Sequence, residues 1–158
     1  HQTGNITPIK FRFDMACAGR LGMELQPKQM NAEEKAFARK AIESYKGYRD
    51  IVMQGDLYRI GTPYDDTGYY GVMYVSKDKK KAVLFTYCTL YQSRTLVPKY
   101  RLYGLDAQTR YKIREQNVDK KRFWFDGGTF TGEYLNHAGI NPNLNKIYDS
   151  AVFVLEAE

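Results

Sequence analysis

Histidine and cysteine are scarce in this sequence, and long apolar runs are missing. Two of the 158 residues are histidine and two are cysteine. His1 is terminal, and His137 sits in Asn136-His137-Ala138-Gly139, which reads as a loop. Neither has a Ser or Cys beside it in a nucleophile–base motif, so acyl-transfer chemistry is not indicated. Two His and two Cys, all far apart, make no zinc pattern, and no metal or other cofactor is expected. Cys17 and Cys88 read as small buried apolar groups, with a single disulfide between them as the alternative. Gly127-Gly128-Thr129-Phe130-Thr131-Gly132 lacks the Lys-Ser/Thr of a phosphate loop and reads as a tight connection. No run of about 18 apolar residues is present, so no membrane helix is expected. The opening HQTGNITPIK has none of the regions of a signal peptide, and it starts with His rather than Met. The chain therefore reads as cut from something longer.

What is present is a mildly basic, core-forming chain. The net charge is +6, with hydrophobic residues at 43% and charged residues at 27%. That balance supports a packed domain rather than disorder. The basic excess is spread along the chain instead of gathered on one face, so no nucleic-acid partner is expected. The runs Lys77-Asp78-Lys79-Lys80-Lys81 and Lys120-Lys121-Arg122 read as solvated turns or strand edges. Asp65-Asp66, taken with Asp14 or Glu24, could be imagined as the carboxylate pair of a glycosidase. Within Tyr64-Asp65-Asp66-Thr67-Gly68, however, the two acids are better explained as turn formers. The residues themselves show no catalytic set.

The periodicity changes near Gly55. Before it, Asn31 and Glu34 form a capping box, and Phe37, Ala41, Tyr45, Tyr48 and Val52 recur at spacings of three and four. This predicts a helix over 32–54 with one apolar stripe, widened by Ala38, Ile42 and Ile51 and ended at Gly55. Residues 9–30 stay ambiguous, except that 21–25 alternates as a short strand would. After Gly55 the period is two. Tyr70, Val72 and Tyr74 predict a central strand, and the turn 76–80 joins it to a second strand over 82–88. Tyr100 and Leu102, Tyr111 and Ile113, 123–125 and 151–155 predict further strands. The class is mainly β, with an antiparallel β-sandwich over 56–158 that should fold without what precedes it. The helix stripe should dock on that sandwich or on the same helix of a second copy, which would make a homo-oligomer.

The first third of the chain carries a resemblance. His1-Gln2-Thr3-Gly4-Asn5-Ile6-Thr7-Pro8 resembles the loop after the seventh barrel strand of glycoside hydrolase family 36 α-galactosidases, where His-Gln-Thr-Gly-Arg-x-Thr-Pro is usual and Asn5 replaces the arginine. Met15-Ala16-Cys17-Ala18-Gly19-Arg20-Leu21-Gly22-Met23-Glu24-Leu25 is similar to the family's segment leading into the eighth strand. Gln26 stands where that family often has Asp, so no role for that acid is carried over. Glu33-Glu34 and Tyr45-Lys46 to Arg49 resemble the helix closing the barrel. Gly55-Asp56-Leu57-Tyr58-Arg59 and Pro63-Tyr64-Asp65 resemble the entry to the C-terminal sandwich. Gly104-Leu105-Asp106, Tyr111 and Gly132, Tyr134, Leu135 agree more loosely.

The resemblance implies that residues 1–55 are the last strand and helix of a (β/α)8 catalytic barrel and that 56–158 are the C-terminal β-sandwich. The partner is then the remainder of the parent chain, and the α-galactoside substrate is met through that parent. It implies hydrolysis of terminal α-galactosides with retention, through a covalent galactosyl-aspartate. The nucleophile and the acid/base would both lie upstream of His1, so this chain holds no catalytic residue. Two rival readings are a self-standing carbohydrate-binding sandwich and a basic nucleic-acid adaptor. The first should gather its aromatics on one wet face, and the second should lose its partner steeply with salt.

Overall fold

The computed structural model describes residues 6–22, 27–64, 66–91 and 97–158. Two α-helices come first, α1 (Ile9–Cys17) and α2 (Ala32–Gln54). Strands β1 (Asp56–Gly61), β2 (Tyr69–Val75), β3 (Lys81–Cys88), β4 (Arg110–Glu115) and β5 (Thr129–Thr131) follow, then the short helix α3 (Gly132–His137) and strand β6 (Asp149–Ala157). All six strands form one antiparallel sheet in the order β1-β2-β3-β6-β4-β5.

α2 forms where its caps and stripe predict. The Asn31 side chain accepts the Glu34 N–H at 2.9 Å, and the Glu34 carboxylate accepts the Asn31 N–H at 3.1 Å. These bonds satisfy two of the donors a helix start leaves open. Gly55 ends the helix in an extended conformation. A Cβ there would stand 2.5 Å from the Ile51 carbonyl oxygen and 2.7 Å from that of Val75. Only glycine lets the chain turn from helix into β1 so close to β2.

The hairpin of β2 and β3 also follows the sequence. Val75 pairs with Ala82, and the turn is closed by the Ser76 and Asp78 side chains. Alternation sorts the strands into two faces. Met73, Val75, Leu84, Ile113, Phe153 and Leu155 point to one face, where they pack with Tyr100, Leu102, Phe125, Leu135 and Leu144. Val83, Phe85, Tyr87 and Val152 point to the other, against Phe11, Cys17, Tyr48, Ile51 and Val52 of the two long helices.

The helix stripe therefore docks on this chain's own sheet. Burying Tyr48, Ile51 and Val52 is worth about 1.5–3 kcal/mol for each large side chain. Tyr48 and Val52 of the stripe meet the sheet, which is the first of the two contacts expected for it, and Phe37 and Ala41 pack with Phe13 of α1. Val83, Phe85, Tyr87 and Val152 of the region expected to fold alone are covered by α1 and α2.

Other differences have local causes. The mainly β class holds, but the two layers over the core are one sheet and a cover of connections, not two ladders among the described residues. Residues 97–109, 116–128 and 132–148 form that cover. Tyr100 makes a single bridge to Ile140 rather than a strand, and the Leu102 N–H donates to the Leu135 carbonyl at 3.0 Å. Residues 123–125 are a turn, in which Phe123 stacks on Phe125 at 5.5 Å and 5°. The glycine-rich connection contains β5, and His137 is the last residue of α3 rather than a loop residue. The ambiguous region holds α1. The strand expected over 21–25 lies mostly outside the described residues, and Leu21 and Gly22 belong to no regular element.

Candidate functional site

α1 brings a carboxylate into the protein interior. Asp14 is fully buried. Its Oδ1 accepts the Asn117 Nδ2–H at 2.9 Å, and its Oδ2 accepts the Ser150 hydroxyl at 2.7 Å and the Lys10 ammonium one helical turn away. Lys10 also reaches the Ser150 carbonyl at 3.1 Å, and the Tyr87 hydroxyl donates to the Asp14 carbonyl at 3.0 Å. Asn117 at φ 59° and Tyr148 at φ 60° both adopt the left-handed region that non-glycine residues avoid. Both hold α1, Asn117 through Asp14 and Tyr148 by packing its ring 5.4 Å from Phe11.

A second ionic group adjoins this one through Ser150. The Arg122 guanidinium donates to Glu115 at 2.8 Å, to Asp149 at 3.1 Å and to the Ser150 carbonyl at 2.7 Å. Arg122 is thus a half-buried clamp rather than part of a solvated basic turn. Burial pushes the Glu115 carboxyl up from its ordinary value, and the Arg122 attraction only partly offsets it. Glu115 Oε2 and Asn117 Oδ1 are buried and accept no hydrogen bond among the described residues.

Both oxygens of Asp14 are taken by partners within the chain, and the side chain is fully buried among the described residues. Glu33 and Glu34, with Asp119, line a notch at the start of α2. Glu34 closes the capping box there and Asp119 pairs with Lys40 at 2.5 Å. A groove of about 230 Å³ runs between α2 and strands β4 and β6, but its one carboxylate, Glu156, pairs with Lys81 at 2.9 Å. A retaining glycosidase needs two facing carboxylates about 5–5.5 Å apart; the groove between α2 and the sheet is lined by one carboxylate only among the described residues. Among the described residues no three His, Cys, Asp or Glu side chains gather as a metal site. His1, Glu24 and Asp65 lie outside the described residues; Asp66 sits in a turn. Cys17 and Cys88 are buried free thiols, and burial pushes Cys17 up to about 11. Asp14 could be found in the sequence only as an acid one turn from Lys10, because its buried partners stand 103 and 136 residues away.

The sequence profile described as the glycosyl hydrolase family 36 C-terminal domain matches residues 69–155. That is more than half of the chain. The chain belongs to glycosyl hydrolase family 36. The Melibiase profile matches residues 1–55. "Probable alpha-galactosidase G" of Aspergillus terreus is 31% identical over 160 residues, covering 100% of this chain and 20% of that protein. "Alpha-galactosidase 2" of Hypocrea jecorina is 33% identical, with 99% of this chain and 20% of that protein covered. Among solved structures, the galactosidase domain of the alpha-galactosidase-sucrose kinase AgaSK superimposes with a TM-score of 0.86 at 28% identity, over 100% of this chain and 21% of that one. The family 36 alpha-galactosidase AgaA of Geobacillus stearothermophilus gives 0.87 at 26%, over 100% of this chain and 20% of that one. The chain thus spans about a fifth of the length of these family 36 relatives, which are longer chains in which this region is one part.

Proposed function

We propose that this chain is the C-terminal piece of an α-galactosidase that hydrolyses terminal α-galactosides with retention. In this reading residues 1–55 close the catalytic barrel and 56–158 form the C-terminal domain. The chain's partner is the rest of the parent, through which it meets the galactoside. The chain itself is structural. It holds α1 through the Asp14 and Arg122 groups and α2 through the sheet, and so fixes the elements that complete the barrel.

The observation that carries the reading is the match of the whole chain to one region of α-galactosidases, together with a buried carboxylate whose two oxygens are both engaged within this chain. The test compares two proteins on an aryl α-galactoside. The parent, expressed with its upstream sequence, should release the aryl alcohol, and the 158-residue chain should not. Turnover that copurifies with the short chain, or a parent inactive on every α-galactoside, would overturn the proposal.

One observation favours sugar binding by the domain itself as a second reading: Trp124 is largely exposed and held edge-on by Phe130, which stacks on the part-exposed Tyr134.

A further inference from the structure

Trp124 is the only tryptophan of the chain and is 71% exposed. Its position is built by the local sequence. The Gly128 N–H donates to the Phe125 carbonyl at 2.9 Å, and the Gly127 N–H donates to that of Ile113 at 2.7 Å, tying the turn to β4. Gly127 has φ 78°, and a Cβ on Gly128 would stand 2.9 Å from the Phe130 ring. Two glycines are therefore needed to bring the turn this close over β5.

The indole is also held from the side. Its ring lies 5.8 Å from Phe125 at 88° and 5.7 Å from Phe130 at 85°. Phe125 is fully buried, 5.3 Å from Phe153 in the sheet. Phe130 stacks on Tyr134 at 5.4 Å and 20°, and Tyr134 is 41% exposed. Trp124 thus caps a row of rings that begins in the core, and it is braced by edge-on contacts. Among the described residues its N–H meets no acceptor. A wide apolar ring left in water on a braced turn loses burial energy that an inward rotamer would gain.

We infer that Trp124, braced by the Phe130–Tyr134 stack, is a stacking platform for a pyranose ring, and specifically for the apolar face of a galactoside. Sugar C–H groups pack on an aromatic face, and a ring already fixed gives up little freedom on binding. In galactose the axial 4-hydroxyl leaves the hydrogens of carbons three, four and five on one side, a broader apolar face than glucose offers. Carboxylates that can accept sugar hydroxyls come with the same two segments. Asp126 is anchored through Oδ1 to the Glu115 N–H at 3.0 Å, and Glu133 is exposed next to Tyr134 with no cation paired to it among the described residues. A second protein is the poorer occupant. The exposed parts of Trp124, Phe130 and Tyr134 together offer roughly 300 Å², whereas a stable contact takes about 800 Å² from each side.

The choice of galactose rests on the α-galactosidase reading, but the platform itself does not. The experiment uses the 158-residue chain, so its failure is separate from failure of catalysis in the parent. Emission of the single tryptophan is followed while methyl α-galactoside or methyl α-glucoside is added, with sedimentation run in parallel. A saturable change with the galactoside, weaker with the glucoside, is expected. Tyr134→Ala should weaken it by about tenfold. Trp124→Ala should abolish the calorimetric heat of binding while leaving circular dichroism unchanged. Emission indifferent to both sugars overturns the inference. So does binding heat that survives in Trp124→Ala, or an emission that follows protein concentration instead of sugar, which would give the face to a second copy.

Discussion

Replacing Asp14 by alanine tests the seam between α1 and the sheet. Three donors lose their acceptor: Asn117 Nδ2, Ser150 Oγ and the Lys10 ammonium. Asn117 and Ser150 are themselves buried, so their freed groups find no water. Lys10 keeps 21% side-chain exposure and its bond to the Ser150 carbonyl, so its loss counts for less. Breaking a buried, hydrogen-bonded pair from one side costs about 3–5 kcal/mol, and the exposure of Lys10 places this case near the lower end. A chain of this length loses about 2–4 °C per kcal/mol, so a fall in Tm of about 10 °C is expected. Asp14→Asn keeps an acceptor for Asn117 and should cost less. Urea unfolding followed by circular dichroism gives the free energies, and hydrogen exchange of the α1 amides shows whether that helix comes loose first. A Ser150→Ala and Asp14→Ala double-mutant cycle should show coupling of about 0.5–3 kcal/mol. If Asp14→Ala costs less than about 1 kcal/mol and the α1 amides stay protected, the seam does not hold the helix and the reasoning fails.

Glu115 gives a pH dependence. Its folded value is raised by burial above the ordinary 4.5, so its contribution is fully present below 4.5 and is lost as pH rises through the folded value. Glu115→Gln should flatten that slope in urea midpoints measured from about pH 4 to about pH 8; an unchanged slope assigns it to other groups. Gly132→Ala would place a Cβ 2.0 Å from the Asp106 carbonyl oxygen, a backbone atom that cannot step aside. It should cost about 3 kcal/mol, and a thermal midpoint equal to that of the unchanged chain would refute the close approach. Residues 56–158 expressed alone should lack a cooperative thermal transition, because the Val83, Phe85 and Val152 face is bare. A sharp transition in that truncation would show that the helices only lean on the sheet.

The elements that were legible in the sequence are those whose reasons lie close by in the chain. α2 carries its cap, its stripe and its terminating glycine within its own span, and the β2–β3 hairpin carries its turn between two alternating strands. α1 was hidden because its pattern is inverted. Asp14 stands on the buried side with Phe11 and Phe13, and only Asn117 and Ser150, far away in the chain, make that tolerable. Phe123-Trp124-Phe125 imitates a strand, yet glycines and ring stacking fold it into a turn. Arg122 looked like part of a solvated run because its acceptors lie elsewhere in the chain. The site was barely legible for the same reason. The outward Trp124 falls within the strand predicted over 123–125, and no local rule says which of the three rings there faces water.

The position of β6 bears on how the chain is made. Residues 56–88 can zip into a three-stranded meander as they leave the ribosome, and β4 can meet β5 soon after. These two pieces share no ladder until Asp149–Ala157 slides between them, pairing with β3 on one side and β4 on the other. The sheet is therefore completed by a strand that follows all the others in the sequence, and until it arrives β3 and β4 each keep an open edge. Loss of residues 149–158 would delete the middle of the sheet, while an error in β1 would fray only its rim.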